Sequence, residues 1–303
     1  MKRLAALVLA CSLTVASGES THPPEFQQTS APVTVARASQ FDLTSKINGQ
    51  TYRIMVGVPP GYEPGKPYPA LYVLEANVYF ATAVAAMTRQ TQFRNTVPAI
   101  VIGVGYPSDD VTVSATRRWL DFTPTVSSDP NEKRKTGGGD EFARLLDEEI
   151  KPFIGARYKI DTSRQALWGH SIGGLTVLRE LLTHTESFST YLISSPSIWW
   201  DGKVVLHDEA RFAKRLSEVG RQVRVLITSG SEEQCRGEDV NRLCEGAEYR
   251  MIDNASDLAE RLRQINRQRL LVERYILDGE THISVSHSAL TRSLRFAFPY
   301  EEQ

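Results

Sequence analysis

The feature that most constrains the fold of this chain is the segment Gly169–Gly173, whose sequence is G-H-S-I-G. The apolar run Gln165–Trp168 before it predicts a strand, and the Leu- and Val-rich stretch Gly174–His184 after it predicts a helix. In a strand-to-helix turn with the pattern G-x-S-x-G the serine is strained, and small neighbours let the strand and the helix approach closely. We therefore predict that the Ser171 hydroxyl stands exposed above a sheet as a nucleophile. The N–H of Ile172 would then face the substrate oxygen on which negative charge develops.

Strand-like and helix-like segments alternate along the rest of the chain. The continuous apolar run Pro98–Val104 is typical of a strand buried on both faces, and Glu141–Tyr158 has helical periodicity. Further strands are predicted at Gln40–Thr44, Thr51–Val58, Ala70–Leu74, Thr190–Ser194, Val223–Thr228 and Leu270–Leu277, and further helices at Val78–Gln92, Ala210–Val219, Ala255–Arg269 and Val285–Phe298. This alternation predicts one α/β domain, residues 39–303, with a mainly parallel sheet and helices on both faces. The polar stretch between Val104 and Glu141 is predicted to be a long loop, and such loops are often functional.

A serine nucleophile needs a general base and often an acid that orients it, in the chain order serine, acid, histidine. His282 lies in a polar loop directly after the predicted strand Leu270–Leu277, whereas His287 falls inside the next predicted helix. The carboxyl edge of the sheet is where a base can reach the serine, so His282 is the predicted base. The acid should follow the strand Val223–Thr228, and Glu233 is preferred there. Glu232, Asp239 or a Ser–His dyad without an acid remain open alternatives.

The N-terminus differs from the rest of the chain. A short basic start is followed by the mostly apolar run Leu4–Ala16, which is too short to span a bilayer and is typical of a secretory signal peptide. We predict a signal peptide over residues 1–18, a flexible tether over residues 19–38, and export to the periplasm or the cell envelope. The sequence around Cys11 also fits a lipoprotein signal, which would give the mature chain a lipid anchor.

Two further cysteines, Cys235 and Cys244, lie in a polar stretch of an exported chain, so we predict one local disulfide. Two free thiols are the alternative, and no metal site is expected because no histidine or further cysteine is clustered with them. The chain carries 35 basic and 36 acidic side chains without a long run of one sign. A nucleic-acid partner is therefore not expected.

Several segments together resemble the putative-esterase family of α/β hydrolases, and most of all the periplasmic siderophore esterases that open enterobactin-type trilactones. The matching segments are Tyr72–Asn77, Arg118–Pro124, Gly169–Leu175, Ser194–Trp200 and Gly279–His282. The resemblance implies an α/β-hydrolase fold and a second oxyanion donor after the strand Ala70–Leu74, which we assign to the N–H of Ala76. The family usually reads Asp-Gly-Asn at this point, where this chain has Glu75-Ala76-Asn77.

The resemblance also implies substrate-binding residues. Arg118 resembles a family arginine near the cleft that could hold an anionic, catecholate-like ligand, with an ion pair to Asp121 as the alternative. Trp199 and Trp200 are predicted to wall the pocket, with a place in the core beside the sheet as their alternative.

Taken together, the sequence predicts a serine carboxylic-ester hydrolase that works through an acyl-enzyme on a small-molecule ester, without a metal or organic cofactor. A siderophore trilactone is the predicted substrate. A general short-acyl or aryl carboxylesterase, or an acyltransferase of the same fold, is the alternative. A non-catalytic ligand-binding protein on a hydrolase scaffold is a third interpretation.

Overall fold

The computed structural model describes residues 32–108, 110–234 and 249–300. The predicted signal peptide with Cys11, the predicted disulfide between Cys235 and Cys244, and Asp239 lie outside these residues. The first strand begins at Ala38, the last residue of the predicted tether, and Ala38 pairs with Gly57. The carbonyl oxygen of Arg37, in the turn before it, accepts a hydrogen bond from the N–H of Val58 at 3.1 Å.

The described residues form an eight-stranded sheet with the order β1-β2-β4-β3-β5-β6-β7-β8. The strands are β1 Ala38–Thr44, β2 Thr51–Gly57, β3 Tyr68–Leu74, β4 Ile100–Gly105, β5 Ile160–His170, β6 Thr190–Ser194, β7 Val223–Gly230 and β8 Leu270–Leu277. β1 pairs with β2, and β2 with β4, in antiparallel register, while all other neighbours in this sheet are parallel. The predicted mainly parallel sheet is confirmed.

Helices cover both faces of the sheet. They are α1 Ala76–Gln92, α2 Val111–Phe122, α3 Gly139–Arg144, α4 Lys151–Gly155, α5 Ile172–Thr183, α6 Trp200–Lys203, α7 Glu209–Glu218, α8 Met251–Arg263 and α9 Val285–Ala297, with a π-helical turn at Leu145–Ile150 and a 3-10 turn at Val204–Asp208. Alternate residues of a strand point to opposite faces. Leu71 and Val73 of β3 belong to one buried cluster, together with residues of α1 and α9, whereas Tyr72 and Leu74 belong to the other, together with residues of α5 and α8. The predicted α/β class with two covered faces is confirmed.

The clearest difference from the sequence prediction is α2, which lies in the stretch predicted to be a loop. Its start is capped by Asp110, whose carboxylate accepts a hydrogen bond from the N–H of Thr112 at 2.8 Å. The helix is rich in Thr, Ser and Val, which are poor helix formers, so the local pattern is weak. Tertiary contacts compensate, because the Thr176 hydroxyl of α5 donates to the carbonyl oxygen of Phe122 at 3.1 Å.

Parallel strands bring the loops that follow them to one edge of the sheet. β3 ends before Glu75, β5 before Ser171, β7 before the loop with Glu233, and β8 before the loop with His282. β3, β5, β6, β7 and β8 are consecutive neighbours in the sheet, so these four residues are gathered at the carboxyl edge.

We expect Gly169→Ala to destabilise the fold at the end of β5. A Cβ at this position would lie 2.4 Å from the carbonyl oxygen of Gly173, so the strand and α5 would have to separate. Overpacking of this kind costs about 1–3 kcal/mol, which urea unfolding would measure. Gly155→Ala is the matched control, because a Cβ there meets nothing within 4 Å. An unchanged urea midpoint for Gly169→Ala would contradict the close approach.

Candidate active site

Ser171 occupies a strained turn between β5 and α5. Its backbone angles are φ 58° and ψ −117°, a region that residues other than glycine rarely adopt. The surrounding backbone holds it there: its N–H donates to the carbonyl oxygen of Ser194 at 3.0 Å, and its own carbonyl accepts from the N–H of Ser197 at 3.1 Å. Gly174 lies so close to β6 that a Cβ would be 2.6 Å from the Ser194 oxygen. The close backbone contacts around this turn therefore leave no room for a side chain at Gly169 or Gly174.

His282 contacts Ser171 directly. Its Nε2 lies 2.9 Å from Ser171 Oγ, although 111 positions separate the two residues in the chain. The loop that carries His282 is fastened to the loop after β7, since the N–H of Glu232 donates to the carbonyl oxygen of Glu280 at 3.0 Å. Gly230 permits this approach, because a Cβ there would lie 2.1 Å from the same oxygen.

Glu233 is the acidic residue that meets His282. Its Oε2 lies 3.0 Å from His282 Nδ1, and its Oε1 accepts hydrogen bonds from the Ser195 hydroxyl at 2.5 Å and the Gly230 N–H at 2.6 Å. The Glu233 side chain has no solvent exposure. Glu232, the neighbouring alternative, is exposed and lines the cavity in front of Ser171. Among the described candidates, the structure brings Glu233 to the histidine.

A partly buried arginine that the sequence prediction missed lies near the Glu233 carboxylate. Arg274 of β8 donates to the Ser229 hydroxyl at 3.0 Å, and burial lowers the pKa of its guanidinium to about 10, although the charge of Glu233 opposes the shift. Arg274 lies in the middle of β8, and no motif in the neighbouring residues predicts a functional site there. It supplies positive charge close to a carboxylate that is sealed from water.

His170, the variable residue of the G-x-S-x-G segment, packs against the base. Its ring centroid lies 4.7 Å from that of His282, and its Nδ1 lies 3.1 Å from Ser194 Oγ. Burial, and then the proximity of His282, lower the pKa of His170 well below the usual value of 6.5. His170 is therefore neutral at physiological pH and fills space beside His282 without adding charge.

A cavity of about 320 Å³ opens in front of Ser171. Ser171, Ser197 and His282 line its floor, and aromatic side chains form its walls: Trp119, Trp199 and Tyr249. Trp199 lies parallel to Tyr249, with 4.3 Å between the ring centroids and 20° between the planes. Of the two tryptophans predicted to wall the pocket, Trp199 is therefore placed there.

Trp200 has a different place, and its predicted position in the pocket wall is wrong. It is 3% exposed, belongs to the hydrophobic core, and packs on Trp119 with 5.5 Å between centroids. Its indole N–H donates to the hydroxyl of Thr125 at 3.3 Å. Adjacent residues in a turn point in different directions, so only one of this pair reaches the cavity.

The segment between α2 and α3 adds a cation to the cavity wall. Arg134 lies with its guanidinium carbon 3.5 Å from the ring centroid of Trp119 and pairs with Glu132 through Nε and Oε1 at 2.7 Å. The Arg134 pairing lowers the pKa of Glu132 to about 2. The sequence prediction missed Arg134, because neither periodicity nor a motif marks a residue in an irregular loop.

Arg118 does not line the cavity in front of Ser171. Its Nε lies 2.6 Å from Glu75 Oε1, and its second nitrogen donates to Oε2 at 3.2 Å. The alternative ion pair with Asp121 is wrong: Asp121 accepts hydrogen bonds from the hydroxyls of Tyr52 and Tyr106 at 3.2 and 3.0 Å. Burial raises the pKa of Asp121 to about 6.

The two predicted oxyanion donors both lie at the starts of helices. α5 begins at Ile172 and α1 begins at Ala76. The first N–H groups of a helix have no partner within it and carry the positive end of the helix dipole. The residue before Ala76, Glu75, has a left-handed conformation with φ 56° and ψ 49°, which turns the chain sharply from β3 into α1.

The fold and the contact between Ser171 and His282 define the class of this protein: it is a serine hydrolase with the α/β-hydrolase fold. The family described as "Putative esterase" matches residues 45–268, and the chain belongs to that family. The predicted ester-hydrolysing activity is thereby confirmed at the level of class. Among residues 32–108, 110–234 and 249–300, no helix combines the length and the apolar composition needed to cross a bilayer.

Individual relatives agree with this assignment. The chain is 35% identical to the ferri-bacillibactin esterase BesA of Bacillus subtilis over 265 residues, 84% of this chain and 87% of the relative. It is 32% identical to the siderophore triacetylfusarinine C esterase of Aspergillus fumigatus over 283 residues, 88% of this chain and 95% of the relative. The crystal structure of the BES protein from Bacillus cereus matches with a TM-score of 0.80 at 34% identity, covering 90% of this chain and 99% of that one. The predicted resemblance to siderophore esterases is confirmed.

Proposed function

We propose that this esterase hydrolyses the ester bonds of a siderophore through an acyl-enzyme, with Ser171 as nucleophile, His282 as general base and Glu233 as the orienting acid. The observation that carries the proposal is the continuous chain of contacts from Ser171 Oγ to His282 Nε2 at 2.9 Å and from His282 Nδ1 to Glu233 Oε2 at 3.0 Å. In such an arrangement the histidine accepts the proton of the serine hydroxyl, which makes this otherwise weak nucleophile reactive.

In the first half of the reaction, Ser171 Oγ attacks the ester carbonyl while His282 Nε2 takes the hydroxyl proton. The negative charge of the tetrahedral intermediate would be stabilised by the N–H groups of Ile172 and Ala76. His282 then returns the proton to the leaving alcohol, and the acyl group stays on Ser171. In the second half, His282 activates a water molecule that releases the acid and restores the serine.

Glu233 supports the histidine in two ways. Its carboxylate accepts a hydrogen bond from the Nδ1–H of His282, which leaves Nε2 free to act as a base, and it stabilises the imidazolium that forms during each transfer. The hydrogen bonds from Ser195 and Gly230 to Oε1 hold the carboxylate in place, so Oε2 remains directed at His282.

The walls of the cavity support an aromatic substrate arm. Trp119 and the stacked pair of Trp199 and Tyr249 line the cavity with flat apolar surfaces. Aromatic rings prefer offset-stacked or edge-to-face neighbours, and such pairs contribute about 0.5–1.5 kcal/mol beyond area burial. The cavity volume of about 320 Å³ falls within the range of small-molecule sites.

Initial rates on a tricatecholate trilactone, iron-free and iron-loaded, and on p-nitrophenyl acetate test this proposal. We expect hydrolysis of the trilactone to linear products, and we expect Trp199→Ala to lower kcat/KM for the trilactone about 5- to 10-fold, because a stacking wall is lost. The same variant should change the hydrolysis of ethyl acetate, measured by acid release, much less, since that small ester has no ring to stack. Hydrolysis of the small ester alone would contradict a siderophore substrate and favour a general carboxylesterase. Transfer to an added alcohol in preference to water would favour an acyltransferase.

We further propose that the chain is exported and that Cys235 and Cys244 form a disulfide, on the sequence evidence for residues 1–18 and the oxidising compartment it implies. Mass spectrometry of the mature protein would distinguish cleavage near residue 18 from a lipidated Cys11 start. Thiol labelling that finds two reactive cysteines in the denatured, unreduced protein would contradict the disulfide.

A further inference from the structure

Glu75 places a carboxylate beside the turn that carries the nucleophile. Its side chain is 12% exposed, and Oε2 lies so close to Gly173 that a Cβ at that glycine would be 3.1 Å away. Glu75 is also the residue directly before Ala76, the proposed second oxyanion donor. A negative charge therefore lies close to the place where the reaction creates another one.

An unpaired carboxylate at this position would oppose catalysis. Like charges in a site of low polarity repel each other strongly, so the carboxylate would destabilise the oxyanion. The donors of an oxyanion hole do the reverse, because they attract its negative charge. Burial raises the pKa of Glu75, while Arg118 acts in the other direction and favours the ionised form. The negative charge of Glu75 is thus compatible with catalysis because the positive charge of Arg118 compensates it.

Arg118 supplies the matching charge from α2. One guanidinium nitrogen donates a hydrogen bond to Oε2 at 3.2 Å, and Nε lies 2.6 Å from Oε1 in ion-pair contact. This pairing uses both oxygens of Glu75 and fixes the rotamer of a residue whose backbone is left-handed. Glu75 and Arg118 also border a second cavity, next to α2, that does not include Ser171.

We propose that Arg118 is a positioning residue that acts through Glu75: it neutralises the Glu75 carboxylate and fixes its rotamer, so that no uncompensated negative charge lies beside the oxyanion at the Ala76 N–H. This inference rests on the proposed acyl-enzyme mechanism. It differs from the anchor role that the sequence predicts for Arg118, because the guanidinium is already engaged with Glu75.

Asn77 shows that the start of α1 is held from a second side. Its Oδ1 accepts a hydrogen bond from the Tyr106 N–H at 2.8 Å, and its Nδ2 donates to the carbonyl oxygens of Tyr106 and Ser108 at 2.9 and 3.0 Å. These bonds fasten the helix start to the segment after β4. Loss of Arg118 would therefore leave α1 in place and disturb mainly the charge and rotamer of Glu75.

The test compares Arg118→Met, Glu75→Gln and the double variant on p-nitrophenyl acetate, a small neutral ester. We expect Arg118→Met to lower kcat about 10- to 100-fold and to keep KM within about threefold. The charge compensation that this variant removes acts on the transition state. The double variant should recover at least about 10-fold of that loss, since it removes the uncompensated carboxylate together with the arginine. A purely structural role would not produce this recovery.

Arg144→Met with Glu148→Gln is the matched control, because it removes an exposed Arg–Glu pair on the surface of α3 and the adjoining turn. Urea unfolding and near-UV circular dichroism confirm that each variant is folded. Full kcat on the neutral ester in Arg118→Met, with a raised KM for the siderophore alone, would overturn the inference in favour of an anchor. A folded double variant as inactive as Arg118→Met would also overturn it. Absence of Ser171-dependent hydrolysis in the wild type would instead refute the proposed function.

Discussion

Ser171→Ala is expected to lower kcat/KM for every ester substrate by at least about 10⁴-fold, while the protein stays folded. The variant removes the oxygen that forms the acyl-enzyme, and what remains is binding and oxyanion stabilisation, which in serine hydrolases leave a small residual rate. The strained backbone at φ 58° is not relieved by the change, because alanine has the same Cβ. Stability should therefore change by less than about 1 kcal/mol.

Two measurements check this expectation. Initial rates on p-nitrophenyl acetate give kcat/KM, and intact mass after treatment with a fluorophosphonate gives the number of reactive serines. The wild type should take one adduct, mapped by peptide sequencing to Ser171, and Ser171→Ala should take none. Ser217→Ala, an exposed serine on α7 whose hydroxyl donates to the carbonyl oxygen of Lys214, should behave as the wild type. Residual activity of several per cent, or an adduct on another residue, would contradict the assignment of the nucleophile.

Glu233→Gln is expected to lower kcat about 10²- to 10⁴-fold, with a smaller change in KM. The carboxylate accepts three hydrogen bonds, from His282, Ser195 and Gly230, whereas an amide offers one oxygen and one NH₂ group. One donor must then face the NH₂ group, and the imidazolium loses the charge that stabilises it. The partly buried Arg274 loses its nearby negative charge as well, so the free energy of unfolding should also fall.

Glu232→Gln, one position earlier, distinguishes the two candidate acids. The residue is exposed, and the carboxylate in contact with His282 belongs to Glu233, so we expect a change in kcat within about threefold. The kinetic measurements use p-nitrophenyl acetate, and urea unfolding reports stability for both variants. Near-normal kcat in Glu233→Gln would indicate a Ser–His dyad, and a large loss in Glu232→Gln would transfer the acid role to that residue.

Local patterns predicted much of the fold. The strands Thr190–Ser194 and Leu270–Leu277 have the bounds expected from the sequence. Thr190–Ser194 is buried along its whole length, as expected of a strand covered on both faces. β5 extends further toward the N-terminus than expected, since its first residues are polar and partly exposed. α2 escaped prediction because its helical conformation depends on the Asp110 cap and on packing against α5, more than on its own propensity.

The sequence by itself identified the residues that we propose as nucleophile and base. A strand, a tight turn and a helix specify the surroundings of Ser171 within a few residues, and His282 follows the last strand in the order that the fold requires. Tertiary structure decided the rest: Glu233 rather than Glu232 at the histidine, Glu75 rather than Asp121 at Arg118, and Trp199 rather than Trp200 in the cavity. In each of these pairs, the two candidate residues are adjacent in the chain or carry the same charge. They depend on side-chain direction and on contacts between distant segments, which no local pattern records.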